Sequence, residues 1–164
     1  MLDEFHLETI KLSAGARFAN YIIDVIVYYI ICFLLGIVLA ALGSAEALTD
    51  PSSAATAELK MQLIAILLWM IYYSVLEGFF GITIGKLITG SIIVDNEGNK
   101  ISFGKAILRT LSRLVPFEPF SFLGSGRGWH DRWTDTYVVN KKKYLELLNN
   151  RDLDIDKIGT SETI

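Results

Sequence analysis

Two long apolar runs constrain this chain more than any other feature. Phe18 to Gly43 holds one charged residue, Asp24, and Met61 to Gly85 holds one, Glu77. Each run is about 25 residues, and roughly 20 predominantly apolar residues suffice to cross a bilayer core. A helix that is apolar on all sides must be surrounded, by lipid or by a large protein core. With 164 residues the chain suggests one domain, too little to wrap two such helices. The runs are therefore read as membrane spans at about 16–42 and 58–80. The residues before the first run, "MLDEFHLETIKLSAGAR", are mixed in charge. A cleavable signal has a basic start and a shorter apolar core, so the first run is read as a retained anchor.

Orientation follows from the basic residues. The connection "GSAEALTDPSSAATAELK" carries one lysine, while Lys86 to Lys143 carries ten Lys and Arg. The positive-inside rule places that second region in the cytoplasm. Two spans then bring both termini there. The expected localisation is a bacterial inner membrane, multi-pass. The single cysteine, Cys32, excludes an internal disulfide and a cysteine-based zinc site.

Along the chain, residues 1–15 suggest a short surface helix with Phe5, Leu7, Ile10 and Leu12 as apolar anchors. The second span loosens in "GFFGITIGK", where glycines weaken the helix. Residues 86–102 suggest a hairpin, with Ile92 to Val94 as strand and Gly98 in the turn "DNEGNK". "TYVV" reads as a further strand able to pair with "SIIV". Residues 102–115 form a helix capped by Ser102. Phe103, Ile107, Leu111 and Leu114 line one side of it, and Lys105, Arg109 and Arg113 recur every four residues. Such a helix lies in the interface over anionic headgroups, so Lys105, Arg109 and Arg113 are candidate lipid contacts. Residues 116–140 are an aromatic loop and strand, with Trp129 and Trp133 suited to headgroup depth. Residues 143–164 are a short helix and a polar tail. The fold class is a mainly α membrane protein: a two-span helical hairpin, a cytoplasmic basic amphipathic helix and a small β-hairpin or sheet.

A charge in mid-span costs several kcal/mol and so faces protein or water with a partner. Asp24 lies about 10 Å beyond Arg17 along the helix, on the same face, since seven residues make nearly two turns. Glu77 lies about 13 Å before Lys86. Because the helices run antiparallel, Asp24 and Glu77 come to similar depth, where they would share a proton, hold a cation, or be neutralised by an arginine. The same arrangement serves equally as a polar clamp between helices. "GWHDRWTDT" adds His130, Asp131, Arg132 and Asp135 beside the membrane. Asp131 is expected to accept from backbone or an arginine and lock this loop under the helices. One histidine with scattered carboxylates is a poor metal set, and no nucleophile motif or phosphate loop is present. Nothing in the residues points to an enzyme, a cofactor or nucleic acid.

In order, "ARFANYIID", "TIGK", an arginine-bearing amphipathic helix and "HDRWTDTYVV" resemble the RDD family of small bacterial membrane proteins over roughly residues 10–142. The resemblance maps the family's arginine and two aspartates onto Arg17, Asp24 and Asp131. It maps a T-P-G-K turn onto Thr83 to Lys86, with Ile84 in place of proline. It maps an H-D-x-x-x-x-T ending onto His130, Asp131 and Thr136. It implies a polytopic membrane protein for which transport of unidentified ligands, and cation/proton antiport in some relatives, has been proposed. Two functional expectations follow. In one, the chain moves a cation, a proton or a small solute. Asp24 carries the charge, Glu77 is its partner, Arg17 tunes it, and His130 and Asp131 organise a cytoplasmic gate with Lys86, Asp135 and Thr136 in its turn and loop. Two spans enclose no path alone, so this needs a homo-oligomer or a larger membrane partner. In the other, the charges are a packing clamp in a non-transporting module that docks a partner protein or anionic lipid.

Overall fold

A computed structural model describes residues 4–42, 54–121 and 127–161. Helix α1 is Glu4–Thr9 and α2 is Ala14–Ala41. Ser13 begins α2 from an extended conformation, its side chain accepting from the Ala16 amide at 3.3 Å. That closes one of the open donors of the first turn. Helix α3 is Ala54–Phe80. It ends at Gly81, whose φ of 68° is free of strain only without a side chain. The short helix α4, Ile84–Thr89, follows, with Thr83 as its cap. Then come β1 (Ser91–Asp95), α5 (Phe103–Ser112), a single 3-10 turn at Glu118–Phe120, α6 (Trp129–Trp133), β2 (Thr136–Asn140) and α7 (Lys141–Ser161). Helices α2 and α3, the latter over Glu58–Phe80, are long and apolar enough to cross a membrane. The expected connection around Pro51 and the Phe122–Gly124 part of the aromatic loop lie outside the described residues.

The sheet is the base of the fold. β1 and β2 pair antiparallel from Ser91↔Asn140 to Asp95↔Thr136. The N-terminal segment runs along the other side of β2, with Leu12 N–H donating to Val138 O at 2.9 Å and Asn140 N–H to Ile10 O at 3.1 Å. Alternation sends side chains to two faces. Val94, Tyr137 and Val139 pack with Leu7, Ile10, Tyr144 and Leu147, while Ile93 and Val138 pack with Leu12, Ile101 and Ala106. The hairpin expected within 86–102 is reduced to its turn, with Gly98 at a φ of 81°, while the main partner of β1 is β2, the pairing expected of "SIIV" and "TYVV". Residues 84–89 are helical, and the turn at Gly98 leaves only the bridge Val94↔Lys100. Chain entropy favours the local hairpin, but β2 offers Ile92 to Val94 apolar cover on both faces. The N-terminal anchors also turn inward: Leu7, Ile10 and Leu12 are buried in the base, and Phe5 alone stays exposed.

Above the base the pattern inverts. The buried residues of α2 are Arg17, Asn20, Asp24 and Tyr28, at helical spacing. Those of α5 are Ala106, Arg109, Thr110 and Ser112. The apolar side chains of α2, such as Ile26, Ile30, Phe33 and Leu34, are outside, as are Leu108, Leu111 and Leu114. Close approach of backbones makes this possible. A Cβ on Gly85 would stand 2.4 Å from Asn20 O, and one on Gly78 would stand 2.3 Å from the Phe103 ring. So α4 rests on α2, and α5 rests on α3.

Candidate functional site

Four cations and four carboxylates gather where the long helices meet the base. Glu77, near the end of α3, accepts from Lys86 Nζ at 3.1 Å, Arg109 Nε at 3.1 Å and Arg113 at 2.6 Å. All three come from after the helix. Gly81 and the Thr83 cap fold Lys86 back, and α5 lies along α3 with Arg109 and Arg113 one turn apart. Arg109 is fully buried and spans two acids, its Nη1 reaching Asp131 Oδ1 at 2.7 Å and also Thr136 Oγ1. Arg17 donates to the other oxygen of Asp131, which also caps α6 through the Gly128 amide at 3.3 Å. A continuous chain of ion pairs thus runs from α2 through the α6 loop and α5 to α3.

Asp24 stands apart from that chain. Its carboxylate accepts from Tyr72 Oη at 2.8 Å, Thr83 Oγ1 at 2.6 Å and the Gly85 amide at 2.7 Å. It therefore holds the start of α4, where the amides point and the dipole favours a negative charge. The residue in the family's proline position, Ile84, is the first of α4, and the Thr83 cap with Asp24 makes the turn without proline. Asn20 bonds Ser91 at 3.1 Å and Thr89, tying α2 to the start of β1.

These contacts correct three expectations. Asp24 and Glu77 are not each other's partners, because each is bonded to its own set of donors. Arg17 serves Asp131 rather than Asp24. Arg109 and Arg113 turn inward to ion pairs with Glu77 rather than outward from α5, and Lys105 is the half-buried member of that row. Helical periodicity shows that α5 has two faces. It does not show which one meets protein, and the buried acid on α3 draws in the charged face. Asp135 is exposed in a left-handed conformation with φ of 49°, and Thr136 is buried under Arg109.

Glu118 and Tyr72 enter the site without having been singled out. Glu118 bonds the His130 ring at Nδ1, and Nε2 of the same ring lies 3.4 Å from Asp131. The sequence signal for Glu118 was an acid in an apolar, proline-bracketed loop. Burial pushes the Asp131 carboxyl up, but the charges of Arg17, His130 and Arg109 outweigh it and hold it well below the usual range. Burial also opposes ionisation of Glu118, and its bond to His130 prevails, so that its carboxyl too is lowered. For His130, burial together with Arg113 and Arg109 wins over Asp131 and Glu118, and the imidazole is lowered. Burial likewise lowers Lys86 against the pull of Glu77.

A cavity of about 140 Å³ opens beside this cluster, lined by Arg17, Asp24, Lys86, Arg113, Glu118 and His130 together with aromatic rings of α2 and α3. The sequence model of the RDD family matches residues 12–135, a stretch that contains Arg17, Asp24 and Asp131. No curated protein and no solved structure matches the chain significantly.

Proposed function

The chain belongs to the RDD family, and from that membership and its two membrane-length helices we propose an integral membrane protein that works as a binding and assembly module. The bilayer is supported by the inversion of α2 and α5. Their buried faces are polar and their outer faces apolar, an arrangement that water would disfavour and lipid favours. In this reading the base lies on the cytoplasmic side of a bacterial inner membrane with both termini, as the basic flank after α3 favours.

One observation carries the choice of module over ion carrier. Asp24, Glu77, Glu118 and Asp131 are each already engaged by donors of this same chain. A carboxylate that carries a proton or cation must exchange partners in each cycle, whereas here doing so breaks the attachment of α4, α5 or α6. The charges act as a clamp that mounts the helix pair on the base, leaving the apolar flanks of α2 and α3 for a second copy or another membrane protein.

A second reading is favoured by the cavity, which offers a small solute a charged station between the helices. Transport would still need an oligomer to enclose a path. Proteoliposomes carrying a pH-sensitive dye separate the two. Under an imposed pH gradient, sodium, potassium or lithium is added to wild type and to Asp24→Asn. The clamp reading expects no cation-triggered proton movement in either, with Asp24→Asn lowering thermal stability by about 1–3 kcal/mol through its lost charged acceptor. Proton movement in wild type that the variant loses would overturn it and make Asp24 a carrier.

A further inference from the structure

We propose that the cavity between α2 and α3 binds the phosphate of an anionic phospholipid, with an acyl chain in the apolar groove that continues from it. The first observation is a one-sided hydrogen-bond balance. Among the described residues, Arg17 Nε, Arg109 Nη2 and Arg113 Nη1 are buried with no partner, while no buried carboxylate oxygen of the cluster is left so. Buried guanidinium N–H groups require acceptors. What completes this site is therefore an acceptor, which argues against a cation.

Two of those three residues, Arg17 and Arg113, line the cavity, joined by Lys86. Asp24 and Glu118 also line it, with His130 held toward its neutral form. Three cations and two carboxylates line it, and the acids paired with those cations, Glu77 and Asp131, stand behind the lining, so that the cavity wall itself presents more donors than acceptors. Its volume of about 140 Å³ exceeds the roughly 30 Å³ share of one water. Arginine forks suit phosphate oxygens in particular.

The groove decides between a free anion and a lipid. It is an open groove of about 340 Å³ whose lining includes Tyr21, Val25, Tyr28, Ala65, Ile66 and Trp69. Tyr21 and Trp69 line the cavity as well, so the two spaces adjoin. Inorganic phosphate fills only the charged half. A phospholipid fills both, provided that α2 and α3 lie in a bilayer as proposed above, and basic pockets between spans on the cytoplasmic side suit such headgroups. A zwitterionic headgroup would bring its ammonium against Arg17, Lys86 and Arg113, so the preferred lipid carries a net negative charge.

The test uses the full chain. Membrane fractionation comes first: recovery in the soluble fraction would overturn the bilayer reading and this inference with it. The membrane-extracted protein in mild detergent is then mixed with equal phosphatidylglycerol and phosphatidylcholine and read by native mass spectrometry. Thermal unfolding is followed with each lipid and with inorganic phosphate. One phosphatidylglycerol per chain, retained at least tenfold over phosphatidylcholine and raising the melting temperature, is expected. Arg113→Gln should bring retention down to the phosphatidylcholine level. Where that variant fails to fold, Ala65→Phe fills the groove without touching the ion pairs and should also lower phosphatidylglycerol retention tenfold. Equal retention of the two lipids, or none, overturns the proposal. So does inorganic phosphate stabilising the protein as much as phosphatidylglycerol, which makes the cavity a free-anion site.

Discussion

The sheet base and the helix pair are built on opposite rules. In the base, Leu7, Ile93, Val94, Tyr137 and Val139 are buried, and the turn residues Asn96, Glu97 and Asn99 are exposed. Its cohesion comes from apolar area withdrawn from water. In the helix pair, Arg17, Asp24, Glu77 and Arg109 are buried, and Ile30, Phe33, Leu63 and Leu67 are outside. In the proposed bilayer, lipid would supply no hydrophobic drive between such helices, so directional polar contacts and close packing would hold them. The difference teaches that a buried charge has a different standing in each half. In the base it would be a defect. Above the base it is the adhesive, and the two rules meet at Arg109, whose one guanidinium touches Glu77 of α3 and Thr136 of β2.

The sharpest way to break that contrast is Glu77→Gln. It leaves Lys86, Arg109 and Arg113 without their shared acid, and removing one partner of a buried ion pair costs about 3–5 kcal/mol. Unfolding in detergent should show this loss, and an effect below about 1 kcal/mol would mean that the cluster is not what mounts α5 on α3. Ile93→Ala in the base should cost roughly 2–4 kcal/mol by cavity formation, read in the same unfolding curves. A smaller loss there than on exposed Ile30→Ala would reverse the assignment of the apolar core.

Acid should weaken the cluster in two stages. His130 has a folded pKa below its ordinary 6.5, so as pH falls through that value the unfolded chain takes a proton that the folded chain refuses, and stability drops. Asp131 and Glu118 have lowered pKa values. Their contribution is intact above the ordinary carboxylate range near 4 and is lost as pH falls through their folded values. The melting temperature should therefore decline from pH 7 to 5 and then more steeply. His130→Gln should flatten the upper stage and, because Glu118 loses the bond that lowers its carboxyl, weaken the lower one as well, and an unchanged upper slope would remove His130 from the account. Lys105→Gln should be the smallest effect, within about 0.5 kcal/mol, because this half-buried lysine stands apart from the Glu77 ion pairs. A loss as large as that of Glu77→Gln would return the basic row of α5 to a common role.

Much of this was legible in the residues themselves. Apolar length marks both long helices, Ser102 marks the start of α5, and the β-branched residues of "SIIV" and "TYVV" mark strands that pair. The polar face of α2 is visible in the spacing of Arg17, Asn20, Asp24 and Tyr28. These are signals of local geometry, which a chain expresses wherever its neighbours lie. The partners of the charges were not legible. Arg17 meets Asp131 across 114 positions, and Arg109 meets Glu77 across 32. Local periodicity points to Asp24, two turns along the same face, as the acid for Arg17, and says nothing of Asp131. Tertiary structure decided it, because Tyr72, Thr83 and the Gly85 amide satisfy the Asp24 carboxylate, while the buried Asp131 takes Arg17 and Arg109. The sequence determined where the charges are, and the packing determined what each is for, since a buried charge takes the partner that the fold brings within hydrogen-bond reach.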